Sequence, residues 1–188
     1  MNIVVNEDIR LELTSAKHAL QLFHAVDNSR AHLSEFLPWV DNIQSVQDFT
    51  DYLTSCEGLY QQKKEVSFVI FFKESIVGRI GLHHLNLQNK AGAIGYWLTK
   101  SAEGKGVIIN ASKAVIDYGF HDLGLHRIEI KAAATNIKSQ AVPEKLNFHK
   151  EGVLRQAELL NNQFVDLILY SMLADEWESN KATNKSFL

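Results

Sequence analysis

The residues best suited to chemistry lie in a short glycine turn near the middle of the chain. Glu103, Gly104, Lys105 and Gly106 follow an apolar strand pattern, and a helical pattern of apolar residues begins directly after them. The first N–H groups of a helix lack intrahelical partners and carry partial positive charge, and glycine lets a phosphate approach the backbone. Lys105 adds a full positive charge. The turn therefore predicts a seat for a phosphate-bearing cofactor.

The same turn is also compatible with ordinary loop chemistry, because glycines commonly precede helices. It is not a Walker A loop, since no Gly-Lys-Ser or Gly-Lys-Thr sequence occurs at the required spacing. Nor is it a GxGxxG turn with an acidic residue about twenty positions downstream, as a dinucleotide site requires. The pattern indicates an anion-binding site but does not identify the anion.

Composition predicts one globular domain for the 188 residues, of which 46% are hydrophobic and 22% charged. The net charge of -3 argues against a broad basic face for nucleic acid. Cys56 is the single cysteine, which excludes an intrachain disulfide and a cysteine-based zinc site. No apolar run reaches about 18 residues and no signal-peptide pattern occurs, so we expect a cytoplasmic protein without a membrane segment.

The periodicity of apolar residues predicts an α/β (α+β) chain. Helical patterns follow Ser15 and Ser45, and further helices are predicted at 29–36, after the glycine turn and at 136–146. Alternating or continuous apolar runs predict strands at 9–13, 66–72, 76–82, 92–98, 127–132, 153–160 and 164–172.

Several motifs in this order resemble the GNAT superfamily of N-acetyltransferases, and most closely its ribosomal-protein (serine/alanine) N-terminal acetyltransferase branch. The sequence IGYWL at 94–98 resembles the family's central strand, in which a bulge splays the strand and backbone groups pair with pantetheine. Residues 103–108 resemble the pyrophosphate pattern Q/R-x-x-G-x-G/A, with Glu103 and Ile108 as departures. Residues 136–148 and 151–170 resemble the family's N-x-x-[AS] helix and the branch's closing segment, and Leu37-Pro38-Trp39 matches an N-terminal signature.

This resemblance implies a single GNAT-like domain over residues 1–177, followed by a polar, disordered tail at 178–188. The implied sheet is mixed, mostly antiparallel and twisted, with about seven strands split at a β-bulge and helices on both faces. It also implies acetyl-CoA as co-substrate, no metal, and a homodimer. The implied acceptor is the N-terminal α-amine of a ribosomal protein. The alternatives are another acceptor, namely a small amine, an amino acid or a polyamine, or a non-catalytic role in acyl-CoA binding.

The resemblance also assigns the cofactor-binding residues. Glu103, which replaces Gln or Arg beside the pyrophosphate, is expected to point outward or to pair with Lys105. Trp39 is assigned to the acceptor groove, or alternatively joins two helices. The implied cofactor-binding residues are Tyr96, Trp97, Leu98, Glu103, Gly104, Lys105, Gly106, Val107, Ile108 and Asn136.

Glu158 and Ser139 are the catalytic residues that the resemblance implies. Glu158 would deprotonate the incoming amine, since a carboxylate among apolar neighbours has a raised pKa; the alternative is an ordinary surface glutamate. Ser139 would protonate the departing thiolate, because Pro143 occupies the position of the family's usual tyrosine. Serine is a weak acid for this purpose, and Ser139 is equally suited to capping a helix near Asn136.

The adjacent histidines His83 and His84 point to opposite faces of a strand and cannot chelate one metal together. Neither has an evident partner in the sequence, so we expect structural or dimer-face histidines. Cys56 falls in a predicted N-terminal helix away from the glycine turn. Direct attack of the amine in a ternary complex is therefore expected, without an acyl-cysteine intermediate.

Overall fold

The computed structural model describes residues 1–185 and is built on one eight-stranded sheet. All neighbouring strands are antiparallel except β5 and β6, so the predicted mixed, mostly antiparallel sheet is confirmed. Asn2–Val4 forms an edge strand that the sequence pattern did not indicate, because it is three residues long and largely exposed. The strands, in the spatial order β1-β2-β3-β4-β5-β6-β8-β7, are β1 (Asn2–Val4), β2 (Ile9–Leu13), β3 (Val66–Phe72), β4 (Ser75–Asn86), β5 (Ala91–Leu98), β6 (Arg127–Ala133), β7 (His149–Leu160) and β8 (Gln163–Leu173).

Helices cover both faces of the sheet. Side chains of the first three helices form one core cluster with Val69, Phe71 and Trp97, whereas Phe68 and Ile70 belong to a second cluster with the fourth helix. This alternation along β3 explains its continuous apolar sequence, since both of its faces are buried. The helices are α1 (Ala19–Asp27), α2 (Arg30–Leu33), α3 (Val46–Gln61), α4 (Val107–Asp117), α5 (Ile137–Lys145) and α6 (Ala174–Lys185).

The polar stretch that begins at residue 178 is helical as far as Lys185, because α6 continues through it. Buried Trp177 donates its indole N–H to Asp117 on α4 over 2.7 Å, and Lys181 pairs with the same carboxylate at 2.8 Å. These contacts hold a helix whose own sequence has little apolar character. Residues 186–188 of the predicted tail lie outside the described residues. No helix in residues 1–185 is long and apolar enough to cross a membrane.

The sheet splits between β5 and β6. These strands pair in parallel only from Ala91 opposite Arg127 to Ile94 opposite Ile130, whereas β5 continues to pair with β4 as far as Leu98. The register shift between β4 and β5 lies at residues 83–86, away from this opening. From residue 95 to 98, the edge of β5 that faces β6 has no strand partner among the described residues, which leaves backbone groups for a ligand.

Candidate active site

A cavity of about 290 Å³ opens at the split between β5 and β6. Several side chains that the sequence assigned separately to cofactor, acceptor and catalysis line it together, although they come from four different parts of the chain. Leu98 does not line the cavity and packs against the core instead. The predicted residues in the lining are Trp39, Tyr96, Trp97, Asn136, Ser139 and Glu158.

A row of small residues crosses three strands beside the cavity, and Ser67 and Gly95 at its two ends line the cavity. Ser67 pairs with Gly81, and Gly81 pairs with Gly95. Residues two positions away on a strand share its face, so Arg79 lies on one side of this row and His83 on the other. The missing side chain of Gly95 leaves room for the ring of His83 in the cavity lining, whereas that of Gly81 lets the strand lie close to Ser67.

Trp39 and Trp97 lie together in the lining of the cavity. It lies in the 3-10 helix Pro38–Asn42, with ring centroids 5.9 Å from Trp97 and 6.4 Å from Phe49. Trp39 therefore both lines the cavity and joins the N-terminal helices to the sheet.

The glycine turn adopts the backbone conformation that an anion site needs. Gly104 has φ +74° and Gly106 has φ +72°, and Gly106 is the N-terminal cap of α4. The side chain of Asn110 is the one neighbour near Gly106 that an added Cβ would contact. The N–H of Asn110 donates to the carbonyl of Gly106 at 3.1 Å, so the preceding N–H groups of α4 lack helical partners and can hold phosphate oxygens.

The expected pairing of Glu103 with Lys105 is wrong. One oxygen of Glu103 lies 3.1 Å from Nε2 of His32 on α2, and the other lies 2.7 Å from Nζ of Lys138 on α5. Lys105 instead places its ammonium 5.6 Å from the centre of the Phe72 ring. The sequence could not indicate these partners, because both are distant along the chain.

Ser139 and Tyr96 form a hydroxyl pair in the cavity. The Tyr96 hydroxyl donates to the Ser139 carbonyl at 2.8 Å, and the Ser139 hydroxyl lies 3.3 Å from it, positioned to donate. Burial raises the pKa of Tyr96, so the phenol stays protonated. Asn136 accepts the Ser139 N–H at 3.0 Å and is the N-cap of α5, which was one of its two predicted roles. A thiolate leaving in this region would meet two hydroxyl groups.

Glu158 lines the cavity but is exposed, so the expected apolar surroundings are absent. The register between β7 and β8 shifts between Leu154 and Glu158. Within this bulge Gln156 has φ +49° and donates its N–H to Asp166 at 2.8 Å. The bulge places Glu158 at the rim, where water can reach the carboxylate.

Glu65 and Arg79, two polar residues near the cavity, were not assigned a role from the sequence, and His83 was expected to be structural or to lie on a dimer face. His83 Nδ1 lies 2.9 Å from Oε2 of Glu65, with side-chain exposures of 30% and 12%. Buried Arg79 donates to the hydroxyls of Tyr52 and Ser67 at 2.8 and 2.9 Å. The alternation of β4 already places Arg79 and His83 on one face, but nothing local connects either to its partners.

Burial opposes ionisation of Glu65, but the hydrogen bond from His83 and the charges of His83 and Arg79 outweigh it. The pKa of Glu65 is therefore lowered and the side chain is a carboxylate. Burial raises the pKa of Tyr52, so the phenol that contacts Arg79 stays neutral. The cavity lining thus contains a buried guanidinium and a histidine that is paired with an ionised carboxylate.

Comparison with known proteins agrees with this geometry. Residues 8–149 match the acetyltransferase (GNAT) domain. A putative ribosomal N-acetyltransferase of Bacillus subtilis (strain 168), YdaF, is 34% identical over 178 residues, which are 94% of this chain and 97% of the relative. The ribosomal-protein-serine acetyltransferase of Escherichia coli (strain K12) is 31% identical over 173 residues, 92% of this chain and 97% of the relative.

A solved structure is similar over almost its whole length. RimL, a ribosomal L7/L12 alpha-N-protein acetyltransferase in complex with coenzyme A, has a TM-score of 0.90 and 26% identity, covering 94% of this chain and 99% of RimL. The family indicated by these relatives is the one that the split sheet and the glycine turn at the start of α4 also indicate. The chain therefore belongs to the GNAT acetyltransferases, in the ribosomal-protein N-acetyltransferase-like branch, and is an enzyme that uses acetyl-CoA.

Proposed function

We propose that this enzyme acetylates the N-terminal α-amine of a protein, with a ribosomal protein as the acceptor class. The observation that carries the proposal is the cavity at the split, which Trp39, Ser139 and Glu158 line together although they are far apart along the chain. A flexible N-terminus can enter such an opening with its amine first. The names of the two relatives and of RimL support the same acceptor class.

The turn and β5 are proposed to hold the cofactor. N–H groups at Gly106 and the start of α4 would bind the pyrophosphate, with Lys105 nearby, and the free edge of β5 would pair with the pantetheine arm. A backbone N–H of Trp97 or Leu98 is suited to stabilise the oxyanion formed when the amine attacks the thioester. Asn136 contributes by holding the start of α5 in place beside the sulfur.

The charges of the cavity favour a peptide over a polyamine. Arg79 and Lys131 contribute positive charge to the lining, and Glu158 is the carboxylate in it. A polyamine carries several positive charges and would be repelled by the two cations. A peptide N-terminus brings a single ammonium, which Glu158 can attract.

Acceptor class is testable by measuring thiol release from acetyl-CoA. Peptides that begin with serine or alanine should be acetylated, and the same peptides with a blocked N-terminus and an internal lysine should not. Spermidine and free amino acids should give turnover at least tenfold lower in kcat/KM. Preferential use of spermidine or of free amino acids would contradict the proposal.

Glu158 is the candidate that the family resemblance gives for taking the proton from the incoming amine, and Ser139 the candidate for protonating the thiolate. Glu158→Gln should lower kcat/KM for the peptide about tenfold, because a charged contact is worth roughly 1–2 kcal/mol. Ser139→Ala should cost less, because the Tyr96 hydroxyl still occupies the same place. The control Glu74→Gln changes an exposed carboxylate in the β3–β4 turn and should leave kcat/KM unchanged. Equal loss in both glutamate variants would refute the role of Glu158.

A further inference from the structure

His83 is held so that one ring nitrogen is bound and the other is available. Nδ1 lies 2.9 Å from the carboxylate of Glu65, which can only accept, so Nδ1 carries a hydrogen. In the neutral ring Nε2 then bears the lone pair. No hydrogen bond to Nε2 occurs within residues 1–185, and His83 lines the cavity. This is the arrangement of a histidine base oriented by a carboxylate.

The position of the ring depends on Gly95. A Cβ on Gly95 would lie 3.3 Å from Cδ2 and 3.4 Å from Nε2 of His83, so the imidazole lies directly above this backbone position. Gly95 is the first residue of β5 beyond Ile94, where the pairing with β6 ends. The free nitrogen therefore faces the start of the split, where the proposed thioester and amine would meet.

The charges around His83 are compatible with proton transfer. Glu65 provides the carboxylate on Nδ1 and is itself kept ionised by Arg79 as well as by His83. Tyr52 and Cys56 on α3 contact Arg79 rather than the ring. The remaining charged groups in the cavity lining are Lys131 on β6 and Glu158 on β7.

Exposed Glu158 differs from this pair in its access to water. Its carboxylate is solvated at the rim, whereas Glu65 is largely buried and has a defined partner. The carboxylate at the rim can attract the ammonium of the amine as it enters, whereas the carboxylate of Glu65 fixes the orientation of the His83 ring in the cavity lining.

We propose that His83 is the general base of the acetyl transfer and that Glu65 is its positioning residue, with Glu158 acting on amine binding. This inference rests on the proposed function, since it requires an amine acceptor in the cavity. In the step, Nε2 takes a proton from the ammonium, and the freed lone pair forms the C–N bond to the thioester carbon. The C–S bond then breaks and the sulfur leaves as a thiolate. The amine nitrogen loses its second proton, which reaches the thiolate through the Ser139 and Tyr96 hydroxyls. The imidazolium returns its proton to water.

The first test compares the same substitution at adjacent histidines. His83→Asn retains an N–H that can donate to Glu65 but removes the basic nitrogen, and should lower kcat with the peptide acceptor about 100-fold. His84→Asn is the matched control, because His84 is exposed, does not line the cavity and has φ +52°, which asparagine tolerates. It should retain wild-type kcat. A His83→Asn enzyme within threefold of the wild type would overturn the proposal.

The second test uses Glu65→Gln and the pH dependence of kcat/KM with one peptide acceptor. Loss of the carboxylate makes the neighbouring imidazole less basic, so the acidic limb should move to lower pH by about one unit. The ionisation of the peptide is common to both enzymes and cancels in the comparison. Glu158→Gln should raise KM without moving this limb. If the acidic limb of kcat/KM moved in Glu158→Gln and not in Glu65→Gln, Glu158 rather than His83 would be the base that accepts the proton.

Coenzyme A affinity separates this inference from the proposed function. His83→Asn and Glu65→Gln should bind coenzyme A with wild-type affinity in calorimetry, because neither residue belongs to the glycine turn. If wild-type enzyme turned over none of the peptide amines, the proposed acceptor class would fail. If peptides were acetylated but His83→Asn were fully active, only the assignment of the base would fail.

Discussion

At the scale of single residues, two glycines are required for different physical reasons. Gly106 needs the left-handed conformation at φ +72°, which costs roughly 1–2 kcal/mol for a residue with a Cβ. Gly95 has no such requirement, but a Cβ there would press against the ring of His83. The first glycine shapes the backbone that is proposed to bind the cofactor, and the second leaves room for the side chain that is proposed to face the amine.

Gly106→Ala should reduce coenzyme A affinity about tenfold, since distortion of the turn would cost about one hydrogen bond to the pyrophosphate. Its unfolding free energy should fall by about 1 kcal/mol. Gly124→Ala is a matched control, because Gly124 has φ +63° with nothing near its missing Cβ and lies outside the glycine turn. Calorimetric titration and urea unfolding measure both effects. An equal loss of affinity in the two variants would show that the turn conformation is not needed for binding.

At the scale of elements, Glu103 joins two helices across the glycine turn. Its carboxylate contacts His32 on α2 and Lys138 on α5, so a residue that would repel a pyrophosphate is neutralised by its neighbours. Lys138 is 73% exposed, and such pairs contribute at most about 1 kcal/mol to stability. The contact therefore matters mainly because it offsets the negative charge of Glu103 beside the glycine turn.

Glu103→Gln should increase coenzyme A affinity about threefold at low salt, because it removes a negative charge and releases Lys138 toward the phosphates. The gain should shrink at high ionic strength, where charges at the surface are screened. Glu7→Gln, an exposed glutamate in the N-terminal turn, should have no effect. Weaker binding by Glu103→Gln would mean that the bridge itself holds the turn in its binding conformation.

At the scale of the whole molecule, the N-terminal helices are anchored to the sheet by a polar cluster. Buried His18, at the start of α1, lies 3.2 Å from Glu12 of β2, which also binds Lys17 at 3.0 Å. The hydrogen bond from Lys17 is the main reason that the pKa of Glu12 falls to about 2, whereas burial lowers the pKa of His18. Both pKa shifts mean that folding favours the deprotonated forms of Glu12 and His18.

Stability should consequently fall in two stages on acidification. Below pH 6.5 the unfolded chain protonates His18 more readily than the folded chain does, and between pH 4.5 and about 2 the same holds for Glu12. Glu12→Gln should lose about 2 kcal/mol at neutral pH and show a smaller second stage, because Asp48, Glu65 and Glu151 also have lowered pKa values. Urea unfolding at a series of pH values measures both stages. An unchanged pH dependence in Glu12→Gln would contradict the assignment.

The sequence was most informative where function depends on neighbouring residues. The glycine turn needs its conformation and the adjacent helix start, both of which are local, so its position followed from the spacing around Gly106. The N-cap role of Asn136 was local as well. The alternation of apolar residues predicted most strands of the sheet. It did not predict β1, because three residues are too few to show a period.

Contacts between distant segments were decided by the tertiary structure alone. The partners of Glu103, the exposure of Glu158 and the pairing of His83 with Glu65 depend on how strands and helices meet, and no spacing in the chain encodes them. The sequence by itself indicated the fold class through its periodicity and the family through the resemblance of its motifs, and it predicted an anion site from adjacent residues. Only the tertiary structure decided which charged side chains share the cavity, because register and sheet order bring together residues that are far apart along the chain.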